Sequence, residues 1–469
     1  MEDAPEDTAA RQIKLEEDLF ATDSEDDFPG PKGPDTPNSS NGDSKSQPTS
    51  SDQADRKASD PEILRTFYQR LFPWRYFFQW LNHSPAPTTD FAHREFAFTL
   101  ANDAYLRYQS YPNSELFRKD VVSVIPTRFE IGPVYSANPR DRKSFRNQTT
   151  FKPIAKELCF DIDLTDYDEI RTCCDKANIC SKCWSFATMA IEVMDAALRE
   201  DFGFRHIMWV YSGRRGVHAW VCDRAARGMS DQQRRAMVGY FDVIKGGAQS
   251  GKKVNVPRPL HRHLKRSIAI LKPYFSENIL RDQDPWATPE GAETLLRLLP
   301  NKALVDSLKT EWASSPERSS AQRWSDIRTV NLGTNKRAAN NRKAEEKIRE
   351  AMEDITLEYT YPRIDLKVTK DLNHLLKSPF VIHPGTGRVC VPIDTSRLQE
   401  FDPMGVPTVH ELLREIDEWK GEEGEKEKVA DWEKTSLKPY IEVFRTFVGG
   451  LLRDENKKRE REEGEKMEF

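Results

Sequence analysis

The segment Leu158-Cys159-Phe160-Asp161-Ile162-Asp163-Leu164 constrains the fold more than any other stretch of this chain. In an extended strand, successive side chains point to opposite faces. Phe160, Ile162 and Leu164 therefore share one face, which demands a packed layer against it. Asp161 and Asp163 project together from the other face, where each raises the other's pKa unless a cation lies between them. Oxygen ligands in that arrangement suit Mg²⁺ or Mn²⁺. The bland alternative, two solvated carboxylates, sits poorly with the depletion of Asp in strands and with apolar flanks. A third carboxylate is offered by Tyr361-Pro362-Arg363-Ile364-Asp365-Leu366-Lys367-Val368, read here as strand-like. Together the three suffice to bridge two metal ions for nucleotidyl transfer.

A second signal is Met208-Trp209-Val210-Tyr211-Ser212-Gly213-Arg214-Arg215-Gly216-Val217-His218, continuing to Val221. Two apolar strands flank a turn with two glycines, a hydroxyl and two guanidiniums. Glycines let the backbone approach a ligand, and Ser212, the turn amides, Arg214 and Arg215 can hold phosphate oxygens. His218 opens the returning strand toward the same ligand. The glycine spacing matches neither a Walker A loop nor a dinucleotide fingerprint. A hairpin with a charged tip is the plain alternative. Further on, the stretch from Asn373 to Pro384 supplies Lys377 and His383.

Cysteine usage points to a metal rather than to disulfides. Four of seven cysteines, Cys173, Cys174, Cys180 and Cys183, fall within eleven residues and end in a C-x-x-C. Clustered thiols suit a closed tetrahedral structural zinc site. The adjacent Cys173-Cys174 pair leaves open whether all four are ligands. Cys159, Cys222 and Cys390 read as small buried residues.

The chain of 469 residues carries 24 Phe, 13 Tyr and 10 Trp, enough for a large core. Its net charge of −5 would argue against an anionic partner, but residues 1–60 hold 16 acidic and 6 basic residues, leaving +5 for the remainder. No run of about 18 apolar residues is present, so a membrane-spanning helix is not expected, and the N-terminus has no secretory pattern. The expected organisation is a disordered acidic tail (1–61), in which Leu15, Leu19 and Phe20 offer at most a short docking helix. A mixed α+β core follows (62–242, zinc loop 173–183). Next come a helical subdomain inserted at 243–358, the rest of the core (359–415) and a charged C-terminal segment (416–469) with an amphipathic helix at 437–452. Basic residues Lys252, Lys253, Arg258, Arg262, Lys265 and Arg266 either face a partner or form a solvated face.

Phe160-Asp161-Ile162-Asp163, Ser212-Gly213-Arg214-Arg215-Gly216-Val217-His218 and Pro362-Arg363-Ile364-Asp365 resemble, in order, the signature motifs of the archaeo-eukaryotic primases. The resemblance to the eukaryotic catalytic small subunits extends through His93-Arg94-Glu95-Phe96, the four cysteines, Lys245-Gly246-Gly247, Asn373 to Pro384 and Thr435-Ser436-Leu437. It implies a mixed-sheet catalytic core with an inserted helical subdomain and a structural zinc. It implies synthesis of short RNA primers from ribonucleoside triphosphates on single-stranded DNA, in the nucleus, with a large primase subunit and the DNA polymerase alpha complex as partners. Carried over, Asp161, Asp163 and Asp365 hold two Mg²⁺ or Mn²⁺. Ser212, Arg214, Arg215, His218, Lys377 and His383 bind the incoming triphosphate. Glu95, Tyr105 and Arg107 match positions at the initiating nucleotide, and Asn373 and His374 lie near the sugar.

Two rivals remain at this point. Asp161-Ile162-Asp163-Leu164-Thr165 also fits the DxDxT signature of haloacid-dehalogenase-like phosphatases, which expect a parallel sheet, a later Lys and a further acidic pair. A zinc-bearing nucleic-acid-binding protein without catalysis is the other.

Overall fold

A computed structural model describes residues 59–145, 150–245, 252–333, 340–421 and 429–467, which belong to one compact unit, Ala54–Phe469. The acidic tail up to residue 58, the Leu15–Phe20 docking helix and Gly246-Gly247 lie outside the described residues. The strands are β1 (Arg94–Thr99), β2 (Tyr105–Gln109), β3 (Arg128–Tyr135), β4 (Pro153–Ala155), β5 (Leu158–Asp163), β6 (Ile207–Tyr211), β7 (Gly216–Val221), β8 (Leu376–Lys377) and β9 (Pro392–Ile393). They form two sheets, β2-β1-β3-β4 with β8 also on β3, and β5-β7-β6-β9. Every strand pairing among the described residues is antiparallel. The parallel sheet that a DxDxT phosphatase expects is therefore not the sheet carrying Asp161 and Asp163.

The first sheet is built on aromatics. Residues 61–82 form two helices, α1 (Pro61–Arg70) and α2 (Trp74–Asn82). The break falls at Pro73, whose ring and missing N–H cannot continue a helix. Phe117, on α3 (Ser114–Val124), is fully buried and centres the cluster. Its ring lies 4.4 Å from Phe96 on β1, 5.5 Å from Phe129 on β3 and 5.8 Å from Phe77 on α2. In the second sheet all residues of β6 and β7 are buried, as expected for strands covered on both faces. Trp220 of β7 meets Trp80 of α2 at 5.2 Å, and Trp80 meets Phe444 of the C-terminal helix at 5.8 Å. That helix, Lys438–Met467, runs well past the amphipathic stretch expected at 437–452.

Between Arg262 and Thr360 the described residues are helical and hold no strand. Helix Arg262–Tyr274 continues into a π-helical stretch, Phe275–Gln283, and four helices follow (Pro289–Arg297, Lys302–Ser314, Ser320–Gly333, Asn340–Thr360). Trp286 and Trp324 stack at 5.7 Å in their core. His263 Nε2 lies 2.8 Å from the Tyr361 hydroxyl, and Arg266 donates to Asp201 at the C-terminal end of helix Ser181–Glu200, tying this region to that helix. Five of the six basic residues near it are paired with acids, Lys252 and Arg258 with Asp354, Lys253 with Glu169, Arg262 and Arg266 with Asp201, while Lys265 is exposed. Paired cations of this kind offer little net field to a polyanion.

One strand expectation fails at a place that matters. Tyr361–Val368 is not a strand: Pro362 has no N–H for a ladder, and Asp365 caps the short helix Leu366–Lys370, accepting the Lys367 N–H at 2.9 Å. Asp is a good N-cap residue because its side chain satisfies a free amide of the first turn.

Phe117→Ala should lower unfolding free energy by about 3–5 kcal/mol, the usual range for a buried Phe truncation. Chemical denaturation monitored by circular dichroism measures it; a loss below about 1 kcal/mol would mean the cluster is not the core of this sheet.

Candidate active site

Register sets the first two carboxylates. β5 pairs β7 with Asp161 opposite His218 and Asp163 opposite Gly216, so both carboxylates stand beside the hairpin tip. Asp365 arrives from far along the chain and is held there by its own backbone, whose N–H donates to Asp161 O at 2.9 Å. A cleft of about 340 Å³ is lined by Asp161, Asp163 and Asp365 together with Ser212, Arg214, Arg215, His218, His374, Lys377 and His383. Arg128 and Glu130 of β3 line it as well.

The electrostatics match a site short of positive charge at one point. Burial, and then the neighbouring Asp163 and Asp365, push the Asp161 carboxyl up to about 7. Asp163 is better compensated. It accepts from Arg215 Nε at 2.8 and 2.9 Å, and from the Thr165 N–H and hydroxyl at 2.8 Å each. Arg215 therefore clamps a carboxylate as well as lining the cleft, a role that the hairpin sequence alone does not reveal. His218 is buried and its pKa is pushed down to about 3, by burial first and Lys377 second. Its Nε2 lies 3.4 Å from Asp161 Oδ1, so the neutral ring faces the carboxylate.

Asp166 is the acidic neighbour that the sequence analysis missed. Burial, then Asp163 and Asp365, raise it to about 6, and it lines a second cavity with all three aspartates. It sits in the 3-10 turn Leu164–Tyr167 after β5, where the two-residue alternation no longer applies. The acidic run from Asp161 to Asp168 was the available signal.

The hairpin tip is shaped by glycine. Gly213 has φ +90°, and a Cβ there would fall 2.5 Å from His383 Cβ. Among the described residues no protein acceptor takes the N–H of Gly213, Arg214 or Arg215, leaving three successive amides available. Successive free amides form an anion-binding concavity. Ser212 Oγ accepts the Gly216 N–H at 3.0 Å, and Lys377 Nζ donates to Ser212 O. His383 is pushed down to about 3, by burial and then by Lys377, Arg214, Arg128 and Arg215. Its Nδ1 accepts the Gly385 N–H at 3.1 Å, so the neutral ring carries its proton on Nε2.

Glu95, Tyr105, Arg107 and Asn373 do not line this cleft; they form a cluster beside it. Glu95 is fully buried and accepts from Arg107 at 2.9 and 3.2 Å, from the Tyr108 N–H at 3.1 Å and from the Tyr135 hydroxyl at 3.0 Å. Arg107 also donates to Asn373 O at 3.3 Å, and Tyr105 donates to Glu130 at 2.6 Å. Through Glu130 the cluster touches the cleft wall.

The sulfurs of Cys173, Cys174, Cys180 and Cys183 all lie within 4.8 Å of one another. Gln283 Nε2 donates to Cys173 Sγ at 3.4 Å and the Cys180 N–H to Cys183 Sγ at 3.2 Å, bonds that support thiolate charge. The donor set is compatible with zinc.

The DNA primase small subunit family matches residues 160–395, the stretch holding the three aspartates and the hairpin. A DNA primase small subunit from the fission yeast Schizosaccharomyces pombe is 51% identical over 424 residues, spanning 86% of this chain and 92% of that protein. The chain belongs to the DNA primase small-subunit family. Further family members include the Saccharomyces cerevisiae small subunit, 42% identical over 85% of this chain and 94% of that protein. The Drosophila melanogaster subunit is 38% identical over 85% and 94%. Among the described residues no helix of this primase small subunit is long and apolar enough to cross a membrane.

Because Asp161 titrates above the ordinary carboxylate value, the fold prefers it protonated. The stability this gives at low pH is lost as pH rises from about 4 through about 7. At pH 8 without divalent ions, Asp161→Asn should be more stable than wild type by about 1–3 kcal/mol, less than the full shift because the carboxylate still touches solvent. The gap should shrink below pH 5. Thermal melts in chelator at both pH values measure it; a variant less stable at pH 8 would contradict the charge-repulsion account.

Proposed function

We propose that the cleft carries out two-metal nucleotidyl transfer, with the incoming ribonucleotide's triphosphate in the Ser212–His218 cradle. Family membership makes the chain the catalytic small subunit of a DNA primase, a nucleotidyltransferase that makes RNA primers in DNA replication. The observation that carries the mechanism is the convergence of three carboxylates beside a wall of Arg214, Arg215, Lys377 and free amides in one cleft.

Asp161, Asp163 and Asp365 would hold the divalent ions, and the uncompensated Asp161 is the group that most needs a cation. Held by these carboxylates, Mg²⁺ or Mn²⁺ would supply Lewis-acid activation of a 3′-hydroxyl and charge neutralisation for the departing pyrophosphate. Arg215 keeps Asp163 in one orientation. The Gly213, Arg214 and Arg215 amides, the Arg214 guanidinium and the Lys377 amine grip phosphate oxygens, and His383 donates from Nε2. Lys377 leaves the Ser212 carbonyl to do so. Glu95, Tyr105 and Arg107 act at the initiating nucleotide by ordering one another and Glu130, and Asn373 and His374 border the sugar.

In this reading the helices of residues 243–358 are a subdomain inserted into the core, 62–242 and 359–415. The tail to residue 61 and the segment from 416 flank it. Cys173, Cys174, Cys180 and Cys183 hold a structural zinc. A primase small subunit implies a complex with a large subunit, a nucleic-acid template and nucleoside triphosphates. The DNA polymerase alpha complex is the further partner, single-stranded DNA the template and the nucleus the compartment.

Incubation with labelled ribonucleotides, Mn²⁺ and poly-dT should yield short RNA. Asp163→Ala should abolish nearly all of it with the fold retained; product at the wild-type rate would sink the mechanism. For the cysteine cluster, Cys180→Ser should lower both bound zinc, measured by atomic emission, and the melting temperature. Undiminished zinc would remove that site.

A further inference from the structure

The cradle is braced from behind. Residues Phe380–Val391 fold into a hairpin of their own, with the Phe380 N–H donating to Cys390 O at 2.7 Å and the Cys390 N–H to Val381 O at 2.9 Å. The Tyr211 N–H donates to Val391 O at 2.8 Å, which fixes this hairpin against β6 just before the cradle begins. Two of its side chains reach the cradle's backbone. Thr386 Oγ1 donates to Gly213 O at 2.7 Å, and the buried Cys390 Sγ donates to Ser212 O at 3.2 Å. The Thr386 hydroxyl in turn accepts the Arg388 N–H at 3.2 Å, which orients it.

These two bonds act on the amides that face the ligand. In a planar trans peptide the C=O and the following N–H point in opposite directions. Anchoring Ser212 O therefore sets the direction of the Gly213 N–H, and anchoring Gly213 O sets that of the Arg214 N–H. Both amides lack a protein acceptor among the described residues. Glycine is also where a peptide plane turns most freely, so without an anchor the plane between Gly213 and Arg214 would sample other directions. Donors aimed before a charged ligand arrives cost no reordering when it binds.

We propose that Thr386 and Cys390 are positioning residues for the triphosphate, holding the two peptide planes that present the Gly213 and Arg214 amides. Neither side chain touches the nucleotide. Lys377, which also donates to Ser212 O, departs to the phosphates, and Cys390 then remains as the anchor of that carbonyl. The assignment rests on the nucleotide reading of the cleft.

The test compares Thr386→Val with Thr386→Ser, and Cys390→Ala with Cys390→Ser, in the poly-dT assay. Nucleotide affinity is measured separately by equilibrium dialysis of ATP in Ca²⁺. Thr386→Val should raise KM for the ribonucleotide, and weaken ATP binding, by about tenfold, the scale of one hydrogen bond. Its kcat should stay within about twofold, and Thr386→Ser should restore both values. Cys390→Ala should move KM in the same direction, with Cys390→Ser restoring it. Wild-type KM in Thr386→Val, or a Thr386→Ser variant as impaired as Thr386→Val, overturns the assignment because the hydroxyl would then not be the cause. If Thr386→Val does not fold, the Cys390 pair decides by the same comparison. Failure of the polymerase reading is distinguishable, since it would appear as absent RNA synthesis in the wild type.

Discussion

Three carboxylates that repel one another share one cleft, and much of the surrounding structure exists to keep them there. Asp161 and Asp163 cannot separate because they are neighbours on one strand face, and Asp365 is fastened to that strand by a main-chain hydrogen bond. Arg215 compensates Asp163, while Asp161 remains short of positive charge. A site arranged so is costly without a cation and favourable with one. The same residues on a flexible loop would relax apart, so the rigidity of β5, an edge strand held by β7 on one side and by the Asp365 N–H on the other, is what converts repulsion into affinity.

The opposite wall of the cleft solves the complementary problem. A triphosphate needs cations and oriented amides, yet those cations must not collapse onto the aspartates. The geometry separates them in part. Arg215 spans both sets, whereas Lys377 is parked on a carbonyl of the hairpin tip and His383 is kept neutral by burial and by neighbouring cations. Gly213 lets the tip pack directly against His383, which brings the amides and the imidazole to a common ligand.

How much of this was legible in the sequence follows from the range of each interaction. The alternation Phe160-Asp161-Ile162-Asp163 shows a strand with a carboxylate face, because side-chain direction in a strand is a local property. The Ser212–His218 turn is legible for the same reason. Asp365 is recognisable as a partner but its local structure is not: its apolar neighbours suggest a strand, whereas Pro362 and the capping tendency of Asp favour a helix start. Asp166 was missed because its position depends on a 3-10 turn that leaves the strand. The Arg215–Asp163 clamp and the Thr386–Gly213 bond join residues 52 and 173 positions apart, and no local pattern reports such contacts. The buried Glu95 network is likewise tertiary, joining side chains of β1, β2 and β3.

The most direct test of the central claim is Mn²⁺ binding to the isolated protein, followed by electron paramagnetic resonance at pH 8, in wild type and in Asp365→Asn. The substitution preserves the cap on helix Leu366–Lys370 through the side-chain oxygen and removes only the charge. Saturable binding that weakens at least tenfold in the variant is the predicted result. Equal affinity in both proteins would show that Asp365 does not share a cation with Asp161 and Asp163, and the account of the cleft would fail.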